Sequence, residues 1–293
     1  VQENHGPRAT RRMGNTPPII LHAAVTGEVP VGGTAHGDAT RTDFRDLSPL
    51  VAAARSLGVR LSETEQGRFR QYGELLLREN AQMNLTAITE PVAVQLRHFA
   101  DSLSVVPLVD EYVRSIGGDV AMLSTVRLFD IGTGGGFPGL PIALVRPRLA
   151  VTLVDATAKK VAFLRRVADD LGATNITALA LRAEEAGHDP TLRGAADIVA
   201  ARAVARLAVL AEYCLPLLRP GGWMIALKSG DLADELAEGE RAFAMLGGTL
   251  REVRPVPLAE LPGRVLVRIE KTGDTPASYP RRPGVPAKKP LGG

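Results

Sequence analysis

Asp130-Ile131-Gly132-Thr133-Gly134-Gly135-Gly136-Phe137-Pro138-Gly139 follows a short apolar run, Val126 to Ile131, and leads into a helical pattern from Pro138 to Val145. A glycine loop acquires meaning in that strand-to-helix setting, because glycine permits left-handed backbone and close approach of a ligand. Two patterns overlap in the stretch. Gly134, Gly136 and Gly139 fit G-x-G-x-x-G, the loop that cradles a dinucleotide pyrophosphate. Gly132, Gly134 and Gly136, preceded by Asp130, fit acidic-x-G-x-G-x-G, the pattern of S-adenosylmethionine sites. The second pattern accounts for the acidic residue. Asp130 would repel a pyrophosphate but suits a ligand carrying an ammonium and a sulfonium.

Outward from the loop, apolar runs alternate with amphipathic helices. Ala150 to Asp155, Ile176 to Leu181, Ala196 to Ala201 and Trp223 to Lys228 read as strands. Helical patterns cover Ala158 to Leu171, the segment around Leu207, Leu210, Leu215 and Leu218, and Leu232 to Leu246. Pro220-Gly221-Gly222 is expected to stop the second of these. Thr249 to Val256 and Arg264 to Glu270 follow with no helix between them, which predicts an antiparallel pair at one edge. The expected fold is therefore α/β: a Rossmann-like class I methyltransferase with a mostly parallel seven-stranded sheet and an antiparallel edge pair. A small N-terminal helical layer precedes it, with a capping box at Ser62 and Glu65 and a further helix after Glu90-Pro91. The organisation expected is a disordered extension over 1–46, a helical region over 47–120, a cofactor-binding core over 121–275 and a basic tail over 276–293.

Further candidate ligand contacts sit at strand ends, where open α/β sheets bind ligands. Asp155, 23 residues after Gly132, can accept hydrogen bonds from two ribose hydroxyls, and can equally cap the helix that follows. Ala183-Glu184 falls where an adenine ring packs in this fold. Arg202 ends an apolar run, and an arginine is costly to bury without a partner. Cys214 lies inside a helical pattern, so a cysteine nucleophile for pyrimidine C5 methylation is not expected. No Asn-Pro-Pro-Tyr motif for exocyclic amines occurs. What remains is an acceptor that is already nucleophilic, such as guanine N7, served mainly by alignment.

Composition sets the limits. The chain has 293 residues, 45% of them hydrophobic, with one cysteine and no apolar run of membrane-spanning length. With no export signal in view, a cytoplasmic protein that does not bind membranes is expected. No metal site is expected either. The net charge of +3 is concentrated at the end: from Lys271 to Gly293 there are five basic residues and one acidic. Such an arm can grip a phosphate backbone or simply stay solvated.

The chain resembles the RsmG family, also called GidB. The resemblance rests on Asp130 to Gly139, Asp155-Ala156-Thr157 with Lys159-Lys160, Arg182-Ala183-Glu184-Glu185, and Ser229 after Lys228. Two more specific stretches are Asn84-Leu85-Thr86 with Arg97-His98 and Asp101-Ser102-Leu103, and the tail Tyr279-Pro280-Arg281-Arg282-Pro283-Gly284 continuing to Lys288-Lys289-Pro290-Leu291. It covers about residues 60–293. It implies S-adenosylmethionine-dependent methylation of guanine N7 in a decoding-region loop of 16S rRNA, with the 30S subunit or its assembly intermediate as partner and a monomer as the working form. Cofactor contacts are expected at Gly132, Gly134, Phe137, Asp155, Ala183, Glu184 and Arg202. Arg97, His98, Tyr279, Arg281, Arg282, Lys288 and Lys289 are expected to face RNA, and His98 and Arg202 are the candidates for a catalytic role. The alternatives are a methyltransferase for another RNA or a small molecule, a nicotinamide oxidoreductase, and an RNA-binding assembly factor without turnover.

Overall fold

The computed structural model describes residues 20–21 and 44–292. Its strands are β1 (Ile20–Leu21), β2 (Arg127–Ile131), β3 (Ala150–Asp155), β4 (Ile176–Ala180), β5 (Ala196–Arg202), β6 (Leu218–Ser229), β7 (Gly248–Pro255) and β8 (Arg264–Lys271). They form one sheet in the order β1-β7-β8-β6-β5-β2-β3-β4. From β6 to β4 every neighbour is parallel, whereas β8 runs antiparallel to both β6 and β7. The seven strands β2 to β8 are the expected Rossmann-like sheet with its antiparallel edge. Two-residue β1 adds a short parallel pairing beyond β7, Ile20 opposite Glu252. The rest of the expectation for 1–46 lies outside the described residues, apart from 44–46.

β2 to β5 are buried along nearly their whole length except at β4, as parallel strands covered on both faces must be. One face carries the helices Gly139–Val145 and Ala158–Asp170 together with the N-terminal layer. The other carries Leu207–Cys214 and Ala233–Met245. Among the described residues no helix is long and apolar enough to cross a membrane.

In the N-terminal layer the helix Glu63–Met83 begins at the expected capping box: Ser62 Oγ accepts from the Glu65 amide at 3.3 Å and Glu65 returns the bond to the Ser62 amide at 2.7 Å. The next helix starts at Pro91–Val94, where the Glu90 carboxylate accepts from the Val92 and Ala93 amides. It then widens into a π-helical turn, Gln95–Ala100, before Asp101–Leu103 completes it. Such turns insert one residue and re-aim side chains, often at functional sites. Here the turn carries Arg97 and His98.

Two expectations are corrected. Pro220-Gly221-Gly222 does not end a helix. The helix stops at Cys214, a 3₁₀ turn Leu215–Leu217 contains Pro216, and the Pro-Gly-Gly segment lies inside β6 at a register shift against β5. Proline at 216 removes the donor that a further helical turn would need.

The second correction concerns the tail, which is docked rather than a free basic arm. Arg281 donates to Glu212 through Nε at 2.9 Å and a terminal nitrogen at 2.6 Å, and its amide adds a third bond at 2.6 Å. The Glu212 side chain has no solvent exposure, so its charge depends on that fork. Tyr279 is half-buried against the second core face, and Leu291 is buried in it. Arg281 and Tyr279 are thus turned inward, away from the RNA-facing role expected of them, whereas Arg282, Lys288 and Lys289 remain exposed. Arg281→Ala would leave a buried carboxylate unpaired and is expected to cost about 3–5 kcal/mol in denaturant unfolding.

Candidate functional site

β2 is the switch point of the sheet: the chain passes from β2 to β3 on one side, then returns after β4 to add β5 on the other. Crevices form at the carboxyl ends of strands where the order reverses. The glycine loop occupies that position. Gly132 has φ +70°, and a Cβ there would lie 2.6 Å from Val204 Cγ2, so side chains are excluded on two counts. Gly134 has φ +57°, its missing side chain faces open space, and its amide donates to Asp155 Oδ2 at 3.0 Å.

Asp130 does not face the ligand, contrary to the role expected for it. It is fully buried; Oδ2 accepts from Thr133 Oγ1 at 2.6 Å and from the Gly139 amide at 2.8 Å, so it clamps both ends of the loop. Burial pushes its carboxyl up to about 6. Tyr72 adds a second clamp from the helical layer, donating its hydroxyl to the Gly135 carbonyl at 2.6 Å.

A cleft of about 310 Å³ opens beside the loop. Of the residues expected to contact the cofactor, Gly132, Asp155, Ala183 and Glu184 line it and Gly134, Phe137 and Arg202 do not, whereas Val204, Tyr213, Gly284 and Ala287 line it without having been foreseen. Asp155 accepts one backbone bond on each oxygen, from Gly134 and from Thr157. A carboxylate oxygen has two acceptor sites, so both can also receive a ribose hydroxyl. The helix Ala158–Asp170 is capped at Thr157 and not at Asp155, which accepts from the Thr157 amide one residue before the helix and keeps acceptor sites free. The residues present fit the adenosyl half of S-adenosylmethionine: a glycine cradle that a Cβ would fill, a ribose-type carboxylate, and a slot with apolar walls. Bound there, that cofactor would supply an electrophilic methyl group on a sulfonium.

A second cleft, of about 420 Å³, lies at the ends of β5 and β6 and is lined by Arg97, His98, Arg202, Ser229, Glu260 and Arg264 among others. Arg202 organises it. Its guanidinium donates to the Arg97 carbonyl at 2.7 Å, to Asp101 Oδ2 at 3.1 Å and to His98 Nδ1 at 3.0 Å, and it lies 4.9 Å from the centre of the Phe137 ring. A guanidinium only donates, so His98 Nδ1 accepts, and its Nε2–H donates to Thr86 Oγ1 at 2.6 Å. That assignment excludes a bond from Nδ1 to the Arg97 carbonyl, 3.2 Å away. Asp101 is fully buried between Arg202 and Arg264; the Arg264 contact, 2.8 Å, is a charge pair without hydrogen-bond alignment. Phe137 is 4% exposed and stacks on His98 at 4.6 Å; it supports the site from beneath and does not line the adenosyl cleft.

Burial, and then the charge of Arg202, drive the His98 ring down to about 3. The depressed value favours the fold above the unfolded pKa of about 6.5, and that contribution is lost as pH falls towards 3. In an NMR titration His98 is expected to keep its neutral-form shifts from pH 8 to pH 5. A midpoint near that of a free ring would remove Arg202 from Nδ1. Gly134→Asp is expected to abolish S-adenosylmethionine binding in calorimetry, because the new carboxylate enters the cradle beside Asp155. The left-handed φ at 134 costs any residue but glycine, so the variant is expected to melt somewhat below the parent, and the titration is made where circular dichroism shows it folded.

The comparisons with known proteins bear on this geometry. The family model described as rRNA small subunit methyltransferase G, GidB, matches residues 65–258. A Ribosomal RNA small subunit methyltransferase G from Roseiflexus sp. is 43% identical over 245 residues, covering 84% of this chain and 100% of that protein. Its namesake from Exiguobacterium sp. is 42% identical, covering 83% and 98%. Among solved structures, a SAM-dependent O-methyltransferase from Thermotoga maritima superposes with TM-score 0.44 at 16% identity, over 69% of this chain and 72% of that one. With the sheet, the glycine cradle and the paired clefts in place, and with relatives matched over nearly their full length, the chain belongs to the rRNA small subunit methyltransferase G (GidB) family.

Proposed function

We propose that this chain transfers the methyl group of S-adenosylmethionine to N7 of a guanine in the decoding-region loop of 16S rRNA. The observation that carries the reading is the state of His98. Both ring nitrogens are engaged, Nδ1 by Arg202 and Nε2 by Thr86, and the ring is held neutral. It therefore has no free lone pair with which to take a proton. Cys214 is fully buried and burial pushes its thiol up, which leaves no thiolate for a covalent route. Guanine N7 needs neither service, because its lone pair is in the ring plane and carries no proton. Held by Gly132, Asp155 and the adenosyl cleft, S-adenosylmethionine would supply the methyl on a sulfonium, and N7 would accept it with no proton for this chain to remove. Catalysis by these residues is then positioning: the glycine loop and Asp155 fix the adenosyl half, and the Arg202 node fixes the wall against which the base is placed.

Arg97, exposed on the π-helical turn, and Arg264 on β8 flank the second cleft and can pair with backbone phosphates. Arg282, Lys288 and Lys289 extend the basic surface. The substrate form we favour is the 30S subunit or its assembly intermediate, met by a cytoplasmic monomer.

The test is transfer of radiolabelled methyl to 30S subunits and to naked 16S rRNA from a strain lacking this protein, with the modified base mapped. Label at a guanine N7 in the decoding region is the expected result. S-adenosylmethionine binding with no label on either RNA form would move the activity to another acceptor. In the same assay Arg97→Ala is expected to weaken RNA affinity and to flatten its salt dependence by about one phosphate contact.

A further inference from the structure

We infer that residues 279–291 form a wall of the adenosyl cleft, fixed in place by the Arg281–Glu212 pair, and that Arg281 is a positioning residue for the cofactor. The inference rests on the adenosyl placement made under the proposed function, and not on the RNA target. It assigns to the tail a task different from the phosphate grip that its charge suggests.

The tail reaches the cleft from one side and is tied down on the other. At the cleft, the Gly284 amide donates to Glu184 Oε1 at 2.8 Å, and Gly284 and Ala287 stand in the lining opposite Asp155. Glu184 is 5% exposed, so the tail contacts a buried carboxylate on the turn that follows β4, at one end of the slot. Gly284 adopts φ +79°, which turns the chain there and starts the short helix Val285–Lys288.

Behind the cleft the attachment is extensive. Pro280 packs so tightly on the backbone of Gly187, the residue after the helix Ala183–Ala186, that a Cβ there would collide with the proline ring. The Pro280 carbonyl is 2.6 Å from His188 Nε2. Arg193 donates to the carbonyls of Tyr279, Thr275 and Pro276 at 2.8–3.2 Å, and also to Gly187. Arg281 holds Glu212 and, with the same terminal nitrogen, the Lys289 carbonyl at 2.8 Å, so it closes the loop on which Gly284 and Ala287 sit. Five anchors on three elements thus fix a segment whose inner edge touches the slot. A phosphate-gripping arm would need none of them. The outer edge keeps Arg282, Lys288 and Lys289 in solvent, so one short segment serves two faces.

Because the wall touches only the adenosyl end, its disturbance should weaken every adenosyl ligand alike. The probe is 5′-methylthioadenosine beside S-adenosylhomocysteine, titrated by calorimetry without RNA. Ala287 is exposed and its replacement disturbs no core, so Ala287→Trp tests the wall without testing the fold. Both ligands are expected to lose roughly tenfold or more in affinity, by equal factors. Hydrogen exchange on the unaltered protein provides the second measurement: the amides of 284–288 should slow when either ligand is added. For the latch, Arg281→Ala should raise the KM for S-adenosylmethionine more than it lowers kcat, at a temperature where circular dichroism shows it folded. Unchanged affinities in Ala287→Trp, or exchange at 284–288 indifferent to ligand, would overturn the inference. Failure of the guanine N7 assay would leave it standing, because the two titrations and the exchange measurement are made without RNA.

Discussion

Arg202 leaves the end of β5 and reaches into the helical layer, where a carbonyl, a carboxylate and a neutral imidazole receive its donors and an aromatic ring lies against its face. A guanidinium this enclosed must be paired or it destabilises the fold, and here every partner but Phe137 comes from one helix. That requirement docks the N-terminal layer onto the sheet in a single register. The Arg97 carbonyl, His98 and Asp101 that receive the cation lie on and just after the π-helical turn. The aromatic stack of Tyr72, Phe99, Phe137 and His98 fills the space beneath. Loop, layer and sheet end are therefore one packed unit.

Much of this was legible in the residues. The strand and helix alternation, the glycine loop, the Ser62 capping box and the edge pair all depend on local patterning, which one chain displays directly. Gly132, Asp155, Ala183 and Glu184 line the cleft because strand ends in this topology have few other places to go. What was not legible needed long-range contact. Asp130 looked like a ligand group because its neighbours in sequence are glycines, but the fold buries it and spends it on the loop. Gly284 and Ala287 lie about a hundred residues beyond Glu184, and no local pattern marks a tail residue as part of a slot. The basic character of the tail pointed outward; the buried Glu212 that turns Arg281 inward sits in an apolar helix and gives no signal of its own. Pro220-Gly221-Gly222 misled for a related reason, since a breaker motif marks an irregularity without saying whether it ends a helix or kinks a strand.

The two clefts differ in what they ask of their walls. The adenosyl slot is shaped by backbone: amides of the loop, the left-handed turn at Gly284, and close approach of Val204 to Gly132. The second cleft is shaped by charge: Arg202 and Arg264 share the buried carboxylate of Asp101, and Arg97 and Glu260 are exposed.

The position of the tail in the chain has a consequence for synthesis. β2, β3 and β4 leave the ribosome early and can pair as they appear, but one side of the slot between them is supplied by residues after β8. A nascent chain can thus hold a folded sheet and an incomplete ligand site together. The wall that Gly284 and Ala287 give this cleft is therefore added only after β8 has been made.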